Sequence, residues 1–158
     1  MQRALLLIAA AWLAAPAYAY AETEISFDDV PDNVMETAIE TAPGVSFDRV
    51  STEIENGQTV YEFEAEDYAG NHIEIDIFED GSLDEIEMEL DWSAVPAAVT
   101  KSLQNTAPGF EPAYIELSVR DGGGVFVYEF EGAFDGQEVD IEIDESGDVL
   151  VFTGDTFS

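Results

Sequence analysis

Acidic residues crowd one glycine turn, and the same crowd returns further along the chain. Asp76, Glu79 and Asp80 gather before Gly81, and Asp144, Glu145 and Asp148 gather around Gly147. Carboxylates at this spacing suit a hard cation such as calcium, which takes roughly six to eight oxygen ligands. The complete Asp-x-Asp-x-Asp-Gly loop of the common calcium-binding hand is absent. Aspartate and glycine also serve turns for backbone reasons alone. Asp76, Glu79, Asp80, Asp144, Glu145 and Asp148 are thus the candidate metal ligands, calcium is the candidate ion, and turn-making is the competing use. No organic cofactor is implied.

Other chemistry finds little support. His72 is the only histidine, beside a turn at the start of a candidate strand. A Ser-His-Asp site needs its histidine held between a nucleophile and an orienting acid, and no Gly-x-Ser-x-Gly elbow is present. One histidine and no cysteine leave zinc with carboxylates only. A glycosidase-like pair needs two acids in a cleft with separated pKa values; acids spread along strands are more simply solubilising. The reading is therefore a chain without catalytic residues. Val125 and Val127 stand out differently. They fall where a strand's polar face is expected, and mark a candidate contact with a partner or with the other part of the chain. Plain β-propensity is the competing account.

The charge balance narrows the partners. The 158 residues include 36 acidic and 4 basic ones, a formal net charge of −32. No basic stripe exists to neutralise phosphates, so nucleic acid is excluded as an ordinary partner. The expected partner is a protein with a basic surface, or a cation. Hydrophobic residues make up 46% and aromatic residues 11% of the chain, which is too apolar for disorder. Met1–Ala19 reads as a secretory signal peptide: Arg3 supplies the positive start, Leu5–Leu13 the apolar stretch and Ala17-Tyr18-Ala19 the small-x-small cleavage site. The apolar stretch is about half of what spans a bilayer. The chain is expected outside the cytoplasm, periplasmic or secreted, with no membrane insertion. Without cysteine it must be held together by core packing alone.

The elements that must position these residues come in two similar runs. Val30-Pro31, Thr41-Ala42-Pro43-Gly44, Val60–Glu64 and Gly81 are echoed by Val95-Pro96, Thr106-Ala107-Pro108-Gly109, Val127–Glu131 and Gly147, about 66 positions later. Each run opens with a short helix. Val34, Met35, Ala38, Ile39 and Ala42 form one apolar stripe, and Val95, Val99 and Leu103 the other. Pro31 and Pro96 suit the first turns, Ser93 suits an N-cap, and Pro-Gly stops each helix. Four alternating strands then follow. Their apolar sets are Val50–Ile54, Tyr61–Ala65, Ile73–Ile77 and Ile86–Leu90 in the first run, and Ile115–Val119, Phe126–Phe130, Val139–Ile143 and Val149–Phe152 in the second. Asn56-Gly57 and Asp135-Gly136 are strong hairpin signals. Period-two alternation predicts one buried and one wet face. The expected fold is α+β: a polar leader at 20–26, then two tandem repeats at 27–91 and 92–155. Each repeat would be one helix packed on its own four-stranded antiparallel meander.

The Val-Pro helix start, the Ala-Pro-Gly stop, the Tyr-Glu-Phe-Glu strand and the acidic glycine turn together resemble the PepSY-like family, over nearly all of the chain after residue 26. The resemblance implies a helix on a four-stranded sheet. Two such units in tandem resemble the arrangement of the β-lactamase inhibitor protein. It further implies an exported, non-catalytic binding or inhibitory module, acting on a protein such as a peptidase. Lacking cysteine, this chain departs from the disulfide-bearing inhibitor. The alternative function is acidic cation binding or buffering. Rows such as Glu85, Glu87 and Glu89 put like charges on one strand face, which salt would relieve, so adaptation to a saline exterior is also expected.

Overall fold

The computed structural model describes residues 22–154. The signal peptide read at 1–19 lies outside the described residues. The element order is β1 (Thr23–Glu24), α1 (Asp32–Thr41), β2 (Arg49–Glu55), β3 (Gln58–Glu66), β4 (His72–Phe78), β5 (Leu83–Glu89), α2 (Ala97–Thr106), β6 (Tyr114–Arg120), β7 (Val125–Phe134), β8 (Gln137–Asp144) and β9 (Val149–Gly154).

The expected α+β pair of tandem repeats, 27–91 and 92–155, each a helix on its own meander, is corrected. The nine strands of the described residues form one antiparallel sheet, in the order β1 to β9. The architecture is mostly β, with two short helices of 10 residues each. The join is β5 to β6, where Ile86 faces Val119, Glu87 faces Ser118, Met88 faces Leu117 and Glu89 faces Glu116. A four-stranded meander would leave β5 and β6 as open edges with unpaired N–H and C=O groups, and pairing them removes both edges. The leader contributes as well: Thr23 and Glu24 add β1 against Thr52 and Ser51 of β2.

The strands alternate as their residues demand. On the face beneath the helices, Val50, Phe63 and Ile75 stand in one row, and Ile115, Phe130 and Ile141 in another. α1 adds Val34 and Ala38 to the first cluster, and α2 adds Val99 and Leu103 to the second. Phe63 and Phe130 are the largest fully buried side chains. Ile39, read as part of the α1 stripe, is 56% exposed instead. Ser93 does not cap α2; it lies in a 3-10 turn, Trp92–Ala94, and Pro96 holds the cap position as Pro31 does for α1.

The repeated glycine turns have a structural task. Thr37 Oγ1 donates to the Gly81 carbonyl at 2.7 Å, and Asn33 Nδ2 donates to the Glu79 carbonyl at 3.2 Å, tying α1 to the β4–β5 turn. A Cβ at Gly81 would stand 2.9 Å from Asn33 Nδ2, and one at Gly147 would stand 3.1 Å from the Ala98 carbonyl oxygen. Both glycines also have φ near the left-handed region, at 85° and 93°, so only glycine permits this approach without strain.

Candidate functional site: the acidic face

The sheet face away from the helices carries the acids. Its cross-strand rows follow from the register. Ser51, Glu62, Asp76 and Glu85 stand side by side on β2 to β5. Arg49, Glu64, Glu74, Glu87, Ser118, Val127 and Asp144 form the next row, from β2 to β8. Glu89, Glu116, Glu129 and Glu142 form a third, from β5 to β8. Neither helix covers this face, yet Ser51, Val60, Ser118 and Val127 on it are buried. Longer acids beside Ser51 and Ser118 shield these small side chains, and curling of the face adds to this. Accordingly, Glu55 on β2 feels the charge of Glu85 on β5.

The curl crowds carboxylates out of water. Burial first, then Glu74, Glu87, Glu62 and Glu85, push Asp76 up to about 9. Burial, then Glu116, Glu74, Glu85 and Glu129, push Glu87 up to about 9. Burial followed by neighbouring acids pushes Glu62, Glu116 and Glu129 up to about 7. Desolvation and like charge both favour the neutral form. At neutral pH Asp76 and Glu87 therefore hold protons, and the other three titrate. Asp76 Oδ1 is buried without a hydrogen-bond partner, as are Asp140 Oδ1 and Ser51 Oγ.

Two arginines relieve parts of this field. Arg49 pairs with Glu22 and Glu64, and more distantly with Glu24 at 3.8 Å. Arg120 reaches Glu129 at 2.6 Å, Glu85 at 2.7 Å and Glu142 at 3.3 Å. Burial works against the charge of Arg120, but Glu85, Glu142 and Glu129 outweigh it and raise its pKa. Ser118 Oγ donates to Glu85 beside this fork. His72 lies 3.5 Å from Glu74 at the rim. The chemistry available is multidentate recognition of positive charge, with acids alone able to offer oxygens to a metal. Among the described residues, two trios bring carboxylate oxygens within 4.8 Å of one another: Glu22, Glu62 and Glu64, and Glu85, Glu87 and Glu129.

The residues picked out from sequence are dispersed. Asp76 lies within the acidic face. Asp80 turns away to accept from Ser82 N at 2.9 Å and Ser82 Oγ at 2.5 Å. Asp144 accepts from Ser146 Oγ at 2.7 Å and from the backbone N–H groups of Asp148 and Ser146, both at 2.9 Å. These bonds hold both acids below the ordinary carboxylate range, as turn-making acids should be. Glu79, Glu145 and Asp148 stay in the turns, and their backbone N–H groups close them onto Thr59, Phe126 and Asp144 respectively. Val125 is 37% exposed, whereas Val127 is buried between Ser118 and Asp144. The sequence reading missed Ser51, Ser118 and the three-acid fork of Arg120. Their signal, a serine or arginine breaking an acidic alternation, is visible only once β5 is placed against β6. One apolar hollow of about 250 Å³, lined by Trp92, Phe110, Glu111, Pro112 and Ile115, is small for an organic ligand.

No family model matches this chain, and no curated protein matches it. Solved structures do. A candidate periplasmic protein from Bacteroides eggerthii superposes with a TM-score of 0.64 at 13% identity, over 79% of this chain and 88% of that one. A DUF2874 family protein from Bacteroides uniformis gives 0.64 at 12% identity, over 81% and 91%. A BLIP-like protein from Bacteroides fragilis gives 0.58 at 17% identity, over 81% and 88%. At these identities the likeness is one of fold. The chain is similar in architecture to periplasmic and BLIP-like proteins, and the PepSY resemblance rests on its residues alone.

Proposed function

We propose that this protein is an exported, non-enzymatic binding module, acting as an inhibitor or scavenger, that docks a basic protein on its acidic face. The carrying observation is the uncovered acidic face. It spans β2 to β8 with rows of half-buried carboxylates that few internal cations offset. Such a surface is costly for the free protein and is repaid by positive charge arriving from outside. Export fits the signal-like Met1–Ala19, the periplasmic descriptions of structural neighbours, and the finding that no helix among the described residues is long and apolar enough to cross a membrane. The test compares the mature chain with a Glu74→Gln/Glu116→Gln variant for capture of basic exported proteins. Removing like charges from a crowded face leaves the fold at least as stable, so lost capture reports the surface. Equal capture by both would sink the reading.

A second reading is cation binding, favoured by the two carboxylate trios. Calcium titrated calorimetrically against the mature chain should then bind saturably at low stoichiometry. Heats that only dilute, without saturation, would remove it.

A further inference from the structure

The two halves of the acidic face can be matched by strand register through the core rows beneath them. The row Val50, Phe63, Ile75 matches the row Ile115, Phe130, Ile141. The same register places Glu62 where Glu129 stands and Asp76 where Glu142 stands. It also places Glu55 where Arg120 stands. The second half therefore holds a guanidinium between two carboxylates, and the first half has the two carboxylates with a third acid in place of the arginine. Arg49 of the first half pairs with Glu22, Glu24 and Glu64, and its charge only partly offsets the burial and acids that raise Glu62.

A second, independent feature lies beside Glu62, at the β2 position where the second half carries Glu116. Ser51 is fully buried and its Oγ has no hydrogen-bond partner. By register it lies directly opposite Glu62 on one side and Glu24 on the other, on the acidic face. A buried hydroxyl without a partner costs free energy until something bonds to it. Asp76 Oδ1, next in the same row, is in the same condition. The groups flanking Ser51 are glutamates, whose flexible ends can part. A planar cation with several N–H donors satisfies Glu62, Asp76 and Ser51 together, as Arg120 satisfies Glu85, Glu129 and Glu142.

We infer that Ser51, Glu62 and Asp76 form a receptor for one arginine side chain of the protein partner, the external counterpart of Arg120. This rests on the reading of the acidic face as a docking surface, and supplies its specificity: arginine above lysine, at one defined place.

The test titrates the mature chain, followed by amide NMR, with a capped Gly-Gly-Arg-Gly-Gly peptide and with its lysine and citrulline counterparts. The arginine peptide should shift Ser51, Glu62 and Asp76 saturably. The lysine peptide should bind about tenfold more weakly or worse, and neutral citrulline not at all. Asp76→Asn should weaken the arginine peptide by about tenfold. Glu55→Arg, which builds a guanidinium into the empty place, should abolish the shifts and raise Tm, so a folded variant is its own control. Lysine and arginine binding equally, unaffected by Glu55→Arg, would overturn the receptor while leaving a generally basic-binding face. No binding by any peptide would overturn both. Calcium displacing the arginine peptide from these amides would overturn the guanidinium assignment in favour of a metal.

Discussion

On the acidic face, the second half of the sheet carries Arg120 where the first half carries Glu55. Beneath that face the halves are alike: Phe63 and Phe130 are both fully buried under a helix of equal length. The difference teaches where folding ends and recognition begins. The second half offsets part of its charge, with Arg120 drawing Glu85 of β5, Glu129 and Glu142 into one network across four strands, while burial and Glu142 still push Glu129 up to about 7. The first half leaves Glu62 and Asp76 to protonation, pushed up to about 7 and about 9. One chain thus contains both the filled and the unfilled version of the same site.

The likeness of the cores can be broken first, with the largest effect. Phe63→Ala and Phe130→Ala should each cost about 3–5 kcal/mol. Because β5 and β6 fuse the halves, each variant should still melt in a single transition, followed by circular dichroism. Two separate transitions, with only the mutated half lost early, would show that the continuous sheet does not make the halves cooperate. The unlikeness of the acidic faces comes next. Arg120→Met should cost about 2 kcal/mol, below the figure for a buried pair because the side chain is 34% exposed. The loss should be smaller still at 1 M salt. An Arg120→Met variant as stable as the parent in denaturant titration would mean that the fork contributes nothing, and the comparison would lose its reference point.

How much of this could be read from the chain depends on what alternation encodes. A period of two assigns Glu62, Glu64, Glu74 and Asp76 to one face and Phe63 and Ile75 to the other, because side chains alternate whatever the neighbouring strand is. The helices, their Pro-Gly stops and the hairpin at Asn56-Gly57 are local and were equally legible. Alternation does not say which strands become neighbours after a long connection. The pairing of β5 with β6 was therefore missed, and with it the meeting of Arg120, Ser118 and Glu85. β1 was missed because two residues carry no period. Val127 reads as an exposed misfit, yet it is buried by the curl of the sheet, which no single strand specifies. Asp80 and Asp144 make turn hydrogen bonds, and the sequence cannot separate that use from metal binding because both ask for the same residue types.

A pH titration sharpens the comparison at smaller amplitude. Asp76 and Glu87 are raised to about 9, and Glu62, Glu116 and Glu129 to about 7. The folded state therefore binds more protons than the unfolded chain, and stability falls as pH rises. The contribution of these groups is complete below about pH 4 and is lost progressively up to about pH 9. Turn acids such as Asp67, Asp80 and Asp144 are lowered and act only below that window. Tm should be higher at pH 5.5 than at pH 8.5, by on the order of 5 °C. Asp76→Asn should flatten this slope more than a Glu142→Gln change in the second half. A Tm that rises with pH would contradict the crowding of the face.

Salt should produce the smallest effect, and its distribution matters more than its size. Neighbouring rows of acids lie a few ångströms apart, since adjacent strands are separated by about 4.8 Å. The screening length falls from about 10 Å at 0.1 M salt to about 3 Å at 1 M. Repulsion across two or three strands is therefore felt at low salt and suppressed at high salt, whereas the Arg120 network weakens slightly. The net result should be a Tm higher by a few degrees in 1 M than in 0.01 M sodium chloride. In Glu55→Arg, where both halves carry an arginine at this position, the gain should shrink towards zero. If the parent gains nothing from salt, the acids are already spaced or protonated enough to be harmless, and adaptation to a saline exterior loses its basis. If the parent gains and Glu55→Arg gains as much, the repulsion is spread over the whole chain rather than concentrated where the first half lacks its arginine.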